Sequence, residues 1–209
     1  MLDVSSNKSG KRSYHHGDLR TALIETGMRL IEFSDADQLS LREVAREVGV
    51  SAAAVYRHFP DKAALLSALA HEGLDRLGAA QMQAAADAGY GAQGFNASGR
   101  TYVRFALKHP ALFRMIMAHT PLVDHFAADA DSVSSPMRWL RSSVAALAPE
   151  GTPPELLRSV ALRAWSQVHG LAMLMLDGQI AHDDGLIDAV LEARDIWPDG
   201  AHSLNQPPR

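Results

Sequence analysis

The chain of 209 residues lacks cysteine and any long apolar run. The absence of cysteine excludes disulfide bonds and cysteine-based zinc sites, and it suits a reducing cytoplasm. The longest apolar runs, such as 171–176, are far shorter than the roughly 20 residues that cross a bilayer. Residues 1–20 contain no secretory hydrophobic segment. We therefore expect a cytoplasmic protein without a membrane partner.

The alternation of Val, Ile and Thr that marks half-buried strands is also missing. Hydrophobic residues make up 47% of the chain and recur at helical spacing instead. The sequence therefore predicts an all-α fold. Its length is enough for one large domain or for two modest domains with a core each.

Motifs for catalysis and for cofactors are missing too. The chain has no G-x-S-x-G, no H-E-x-x-H and no phosphate-binding glycine loop. His15 and His16 are adjacent, but they lack a partnering carboxylate or cysteine at ligand spacing, so we expect them to face solvent or phosphate. The sequence therefore favours a protein that is not an enzyme and that holds neither a cofactor nor a metal.

Positive charge is not in excess. Lys and Arg number 20 against 24 for Asp and Glu, which gives a formal net charge of −4. Positive residues do cluster locally, at positions 8–12 and at Arg42, Arg46, Arg57 and Lys62. Such a cluster is enough for a specific contact with nucleic-acid phosphates, although it predicts weak non-specific binding.

Residues 40–62, SLREVAREVGVSAAAVYRHFPDK, have the pattern of two short helices, a tight turn and the start of a third helix. Ser40 and Glu43 form a capping box, which predicts that the first of these helices begins at Leu41. Gly49 is suited to end it, because glycine adopts the left-handed conformation without strain.

The second helix follows almost at once, so the two helices must turn sharply against each other. Ser51 is its predicted N-cap, the helix covers 52–58, and Pro60 ends it. Asp61 then caps a third helix from Lys62, whose positive end suits a phosphate. The pattern is typical of a helix-turn-helix, although an αα-corner without any ligand has the same pattern.

This segment closely resembles the DNA-binding domain of the TetR family of bacterial transcriptional regulators. The resemblance rests on the small residue that opens the second helix, the Tyr-x-His-Phe run and the lysine at the start of the next helix. It implies phosphate contacts near Tyr56, His58 and Lys62, and base-facing positions near the start of the second helix. The expected DNA-binding residues are Arg42, Ser51, Ala52, Ala54, Tyr56, Arg57, His58 and Lys62.

Two features qualify this resemblance. Residues 34–37 are Ser-Asp-Ala-Asp where the family commonly has a glycine, which leaves the shape of that loop open. Alanine at 52, 53 and 54 leaves few side chains that could form hydrogen bonds with base edges. Methyl contacts, Arg42, Arg57 or DNA shape must therefore supply part of the sequence specificity.

The chain divides into a DNA-binding part and a C-terminal part. The clearest boundary is 89–94, with three glycines in six residues. We expect a tail at 1–13, a helix-turn-helix domain at 14–60, a linking helix at 61–88, a ligand-binding and dimerisation domain at 89–197, and a tail at 198–209. Helices are predicted from Asp18 to 33, at 62–88, 96–108, 110–118 and 136–148, from Pro153 to 176 with Thr152 as N-cap, and at 183–196.

Trp165 and His169-Gly170, spaced W-x-x-x-H-G, resemble the Trp-His-Gly motif of one TetR-family C-terminal domain, and the run 109–117 fits the same subgroup. A tryptophan and a histidine at i and i+4 share one helix face and suit either a ligand or a core with a hydrogen-bonded histidine. We expect an apolar cavity for an aromatic or apolar effector with one polar group for His169. Its expected lining is Met82, Phe105, Met115, Trp139, Trp165, His169 and Met173.

Helix 155–176 carries more apolar surface than one core can cover. We therefore expect the last two long helices to pair with those of a second copy in a homodimer. The resemblance implies a transcriptional regulator, as a repressor that a small molecule releases from a palindromic double-stranded DNA operator. The alternative is a DNA-associated interaction protein of the same fold with a protein partner.

Overall fold

The computed structural model describes residues 16–33, 36, 38–120, 124–126 and 133–192. In these ranges every regular element is a helix, so the fold is all-α, as the sequence predicts. The predicted tails, 1–13 and 198–209, lie outside the described residues. The helices are α1 His16–Phe33, α2 Leu41–Val48, α3 Ala52–Tyr56, α4 Lys62–Asp87, α5 Gly91–Lys108, α6 Pro110–His119, α7 Ser135–Leu147, α8 Pro154–Leu176 and α9 Asp184–Leu191.

The caps of α2 and α3 form as the sequence predicts. The Ser40 hydroxyl accepts from the Glu43 backbone N–H at 3.1 Å, and Gly49 ends α2 with φ 80°. The Ser51 hydroxyl accepts from the Ala54 N–H at 3.2 Å. The helix α3 is shorter than predicted, because it ends at Tyr56 instead of His58. Two capped helices thus meet across a tight turn.

Two main cores share the helix α4. The first core joins α1, α2, α3, the first half of α4 and α6. The second core joins Leu77 of α4 to α5, α6, α8 and α9. A smaller cluster lies between α7 and α8 around Val144, Val160 and Ala161. The helix α4 therefore connects the helix-turn-helix to the C-terminal helices by direct packing.

The start of α5 differs from the prediction. The helix begins at Gly91, five residues before the predicted start, so the glycine-rich stretch 89–94 is mostly helical. Gly94 lies against α4, where a Cβ would stand 2.9 Å from the Ala85 carbonyl oxygen. Gly94, which contributed to the prediction of a loop, instead allows α4 and α5 to cross closely.

Three other helix ends also differ from the prediction. The helix α1 begins at His16, two residues before the predicted cap at Asp18. Pro153 occupies the N-cap position of α8 and Thr152 instead donates its hydroxyl to the Pro149 carbonyl at 2.6 Å, so the predicted threonine cap is wrong. The last described helix ends at Leu191, and residues 193–196 of its predicted span lie outside the described residues.

The crossing of α4 and α5 predicts opposite effects for two alanine substitutions in one helix. Gly94→Ala must displace the Ala85 backbone and should destabilise the fold by about 1–3 kcal/mol. Gly99→Ala meets Val168 at an ordinary 3.5 Å and should stabilise it by about 0.5–1 kcal/mol through helix propensity. Urea unfolding measures both, and equal effects would contradict the close crossing.

Candidate functional site

The helix-turn-helix presents most of its expected DNA-binding residues to solvent. Arg42, Ser51, Tyr56 and Arg57 are exposed, with Tyr56 47% exposed. Ala52, His58 and Lys62 are half-buried. These seven residues belong to α2, to α3 and its N-cap, to the turn after α3 and to the first residue of α4.

Ala54 is the exception. It is only 8% exposed and packs in the first core with Val55 and Phe59. The expectation that it faces outward is wrong, because a five-residue helix turns its third and fourth residues together toward the core. At this end of α3 the N-cap Ser51 is exposed and Ala52 is half-buried. Ala53, which was not among the expected DNA-binding residues, is also exposed.

The charges around α3 differ in how they are paired. The Arg46 guanidinium lies 3.7 Å from a carboxylate oxygen of Glu43 and 3.7 Å from one of Glu47. Arg42 and Arg57 form no ion pair within 4.0 Å with any residue that the structure describes. Arg42 and Arg57 therefore stabilise a bound anion more than Arg46 does.

The N-terminus of α4 lies beside the turn after α3. The Asp61 carboxylate accepts from the Ala64 N–H at 2.8 Å and fixes this end of the helix. Lys62 begins the helix, so its charge adds to the positive end of the helix dipole. The arrangement suits a phosphate oxygen.

Arg20 is a residue near this surface that the sequence did not single out. It lies on α1, and its guanidinium carbon stands 5.4 Å from the centre of the Phe59 ring. Phe59 follows α3, so Arg20 adds a positive group just beyond the end of α3. Only the packing of α1 against this ring reveals its position, so no local sequence signal would have found it.

The C-terminal helices line a partly open cavity of about 840 Å³. Its wall is formed by α4, α5, the end of α6, α7, α8, the end of α9 and residues 124–126. Aromatic side chains are prominent in the wall: Phe95, Tyr102, Phe126, Trp139 and Trp165. The volume of this cavity and the aromatic side chains in its wall are typical of sites that bind small molecules.

Two of the seven residues expected to line the cavity do so, namely Trp139 and Trp165. Met82 is 44% exposed and lines a separate recess of about 390 Å³, which it shares with Trp139. Met115 is buried in the first core, because the turn of α6 directs it away from the C-terminal helices. Its expected position in the lining is therefore wrong.

Phe105, His169 and Met173 are also absent from the cavity wall. Phe105 packs between the two main cores, and Met173 packs against the second core. The spacing of these residues predicts which side chains share a helix face. It does not predict which neighbouring helix that face packs against.

His169 lies behind the cavity wall. Its Nδ1 is 3.0 Å from the hydroxyl of Tyr102, which itself lines the cavity. Burial raises the pKa of Tyr102 to about 12 and lowers the pKa of His169, so both side chains are uncharged near neutral pH. The polar group expected to bind a ligand is thus already hydrogen-bonded to a wall residue.

Sequence reasoning missed several polar residues of the wall. Gln81, which is 7% exposed, and Ser98 lie deep in it, whereas Asp124 and Arg158 lie at a more exposed part and approach each other to 3.8 Å. The burial of Gln81 could have been predicted from the sequence, because Gln81 continues the apolar stripe of Leu74 and Leu77 along α4. The others are brought together only by the packing of different helices.

Known families match both parts of the chain. Residues 23–69 match the family described as bacterial regulatory proteins, tetR family. Residues 95–194 match a tetracyclin repressor-like C-terminal domain. The chain belongs to the TetR family. The two matched stretches coincide with the helix-turn-helix and with the C-terminal helices that the structure describes.

Solved structures share the fold of this chain. A protein of unknown function from Rhodococcus sp. RHA1 is 34% identical, with 88% of this chain and 94% of that chain covered and a TM-score of 0.67. A TetR variant from Acinetobacter baumannii AYE in complex with minocycline is 18% identical, with 86% and 91% covered and a TM-score of 0.55, which shows the fold alone.

A curated relative matches only locally. The nucleoid occlusion factor SlmA of Marinomonas sp. (strain MWYL1) is 38% identical over 52 residues, which are 25% of this chain and 26% of that protein. The match thus spans about a quarter of the relative's length. Among the described helices of this TetR-family chain, none is long and apolar enough to cross a membrane.

The lowered pKa of His169 predicts a pH dependence of stability. The unfolded chain binds this proton near its usual pKa of about 6.5, whereas the folded chain binds it only at lower pH. The contribution of neutral His169 is therefore fully present above about pH 6.5 and is lost as pH falls below that value. The difference in unfolding free energy between wild type and His169→Asn should shrink when urea titrations move from about pH 7.5 to about pH 5.5. His71→Asn, which changes an exposed histidine of α4, is the control, and a constant difference for His169→Asn would contradict the prediction.

Proposed function

We propose that this TetR-family chain is a transcriptional regulator that binds an inverted-repeat operator as a homodimer and is released by a small molecule. The observation that carries the proposal is that α4 begins at Lys62, packed against the helix-turn-helix, and lines the cavity further along. We call the exposed side of the helix-turn-helix around Arg42, Ser51, Tyr56 and Arg57 the DNA-facing surface. A repressor is the form that we favour, because release by a ligand is the simplest use of that connection.

The exposed end of the helix-turn-helix supports the DNA contacts. Ser51 and Ala52 stand where a recognition helix meets base edges in the major groove. Tyr56 and His58 have groups that bond phosphate oxygens, and Lys62 adds a charge at a helix N-terminus. Because only alanines follow Ser51 at the start of α3, Arg42, Arg57 and DNA shape contribute to specificity.

The phosphate role of Lys62 predicts a change in salt dependence. Lys62→Ala should weaken binding to all sequences similarly and should lower the slope of log K against log salt by about one unit. Ala52→Asn should instead change which sequence is preferred. Binding titrations at several salt concentrations measure both effects.

Arg46→Ala is the matched control for Lys62→Ala. Because Glu43 and Glu47 already flank Arg46, its removal should change the slope less. Loss of sequence preference in Lys62→Ala, with no change in slope, would contradict the phosphate contact.

Exposed apolar residues on α8 and α9 support the dimer. Leu174 of α8 and Leu186 of α9 are 48% and 37% exposed, and neither lines the cavity. Gly170 lies one turn before Leu174 along α8, and a Cβ there would meet nothing within 4 Å. No helix described in this chain uses that space, whereas the two helices of a second copy would cover these side chains in a four-helix bundle.

The proposed interface predicts that a charge on α8 dissociates the dimer. Leu174→Glu should give a folded monomer that loses operator binding, since each subunit then reads one half-site. Met82→Glu changes a similarly exposed apolar residue, 44% exposed on α4, and should leave the dimer intact. Sedimentation at about micromolar concentration checks both variants, and a monomeric wild type would overturn the interface.

A ligand releases DNA only if it binds the DNA-incompetent arrangement more tightly than the competent one. The relative solved with minocycline supports a small-molecule role for a cavity in this fold. Ligand and operator must then weaken each other's binding by the same factor.

The second candidate is a DNA-associated interaction protein with a protein partner. The local match to the nucleoid occlusion factor SlmA favours it, but that match covers only 52 residues. The genomic DNA that the protein retains in cells separates the two. A few promoters would support the regulator, and many dispersed sites would support the interaction protein.

A further inference from the structure

The polar groups deep in the cavity wall are closed off from the cavity itself. Gln81 Oε1 and Trp139 Nε1 have almost no accessible surface, so a molecule in the cavity does not reach them. The Tyr102 hydroxyl is already held 3.0 Å from His169 Nδ1. The polar group that positions a ligand must therefore come from the exposed edge of the cavity.

Charged side chains form part of that edge. Asp124, Arg158, Arg163 and Glu192 line the cavity and are all exposed. The Asp124 carboxylate accepts from the Phe126 backbone N–H at 2.9 Å, so it already has a donor. Neither arginine forms a hydrogen bond with any residue that the structure describes. The charged donors that are left open at this edge thus belong to the two arginines.

Arg158 is the arginine that lies beside the aromatic wall. Its guanidinium carbon stands over the Phe126 ring, 5.8 Å from the ring centre. Its Nη2 is 3.8 Å from an Asp124 carboxylate oxygen, which is too far for a hydrogen bond, and the side chain is 57% exposed. The guanidinium is thus placed next to an apolar surface, whereas its N–H groups remain open to a ligand.

We infer that the effector is an aromatic acid whose carboxylate binds the guanidinium of Arg158 at the exposed edge of the cavity. This inference rests on the proposed function, and it names the chemical class of the ligand. A carboxylate matches the planar N–H donors of a guanidinium and accepts from two of them at once. The aromatic body of the ligand then packs against the rings of the wall, beginning with Phe126.

Asp124 opposes such a ligand. Its carboxylate lies 3.8 Å from the same guanidinium, so a bound carboxylate meets a like charge and competes for the same donors. Arg163, further along α8, adds a second positive charge to the wall. Substitutions of Arg158 and Asp124 should therefore change the affinity for the ligand in opposite directions.

The test uses three fluorescent probes that share one pyrene body. Pyrenebutyrate carries a carboxylate, pyrenebutyramide carries a neutral amide, and pyrenebutylamine carries an ammonium group. Fluorescence titration of the wild type should give about tenfold tighter binding of the carboxylate than of the amide, and no gain for the amine. Comparable affinities for the carboxylate and the amide, tightest binding of the amine, or no binding of any probe would overturn the inference.

Variants assign the preference to its residues. Arg158→Gln should weaken binding of the carboxylate to that of the amide, whereas Arg158→Lys should keep part of the preference because the charge remains. Asp124→Asn should tighten binding of the carboxylate about threefold, since it removes the competing charge. It also keeps an oxygen that can accept from the Phe126 N–H. Arg76→Gln is the matched control, because Arg76 pairs with Glu72 on α4 and does not line the cavity.

The amide probe reports whether each variant keeps an intact cavity, because its binding does not need the charge of Arg158. Equal losses of carboxylate and amide binding in Arg158→Gln would overturn the role of Arg158. A carboxylate preference that persists in this variant would overturn it as well. Weaker carboxylate binding in Asp124→Asn would contradict the competition between Asp124 and the ligand.

Failure of this inference can be told apart from failure of the proposed function. Retention of genomic promoter DNA is measured without any probe. A chain that retains such DNA but does not prefer the carboxylate loses only the ligand assignment. A chain that prefers the carboxylate but retains no DNA loses the proposed regulator.

Discussion

The structure depends on one uninterrupted helix that is packed into both main cores. The helix α4 has 26 residues, which corresponds to roughly 39 Å. Its residues from Leu65 to Leu74 pack in the first core, Leu77 packs in the second, and Gln81 lines the cavity. Any shift of its cavity end must therefore be accommodated by the helix-turn-helix or by the packing around α4.

Two glycines make that packing tight. A Cβ at Gly73 would lie 2.6 Å from Ile116 of α6, and one at Gly78 would lie 2.7 Å from the Ser135 hydroxyl at the start of α7. The Ser135 hydroxyl also donates to the Asp75 carboxylate at 2.8 Å. The helices α6 and α7 are thus seated directly on the α4 backbone, with little room to absorb a displacement.

The helix α6 forms a second connection between the two cores. Leu112 and Ile116 pack in the first core, whereas Phe113 packs in the second. Arg114 forms an ion pair with Asp177 at the end of α8, at 2.5 Å. The C-terminal helices are therefore joined to the helix-turn-helix through α6 as well as through α4.

The sequence predicted the parts of the molecule that local chemistry determines. Ser40, Gly49, Ser51 and Asp61 each fix a helix end through bonds within a few residues, and all four act as expected. The lining of the cavity depends on which helices meet, so a tryptophan pair was identified but Gln81 was missed. Gly94 shows the limit most clearly, because the same residue type marks a loop or a close helix crossing.

The absence of cysteine allows a direct test of the central claim, that α4 transmits occupation of the cavity to the DNA-facing surface. Glu47→Cys places one spin label on the exposed side of α2 in each subunit, so a homodimer gives a single label-to-label distance. Pulsed electron resonance measures this distance without ligand, with operator, and with a compound that releases the operator. We predict one distance on the operator, compatible with half-sites about 34–36 Å or a multiple apart, and a different distance with the releasing compound. The same distance distribution in the presence of operator and in the presence of the compound would contradict the claim.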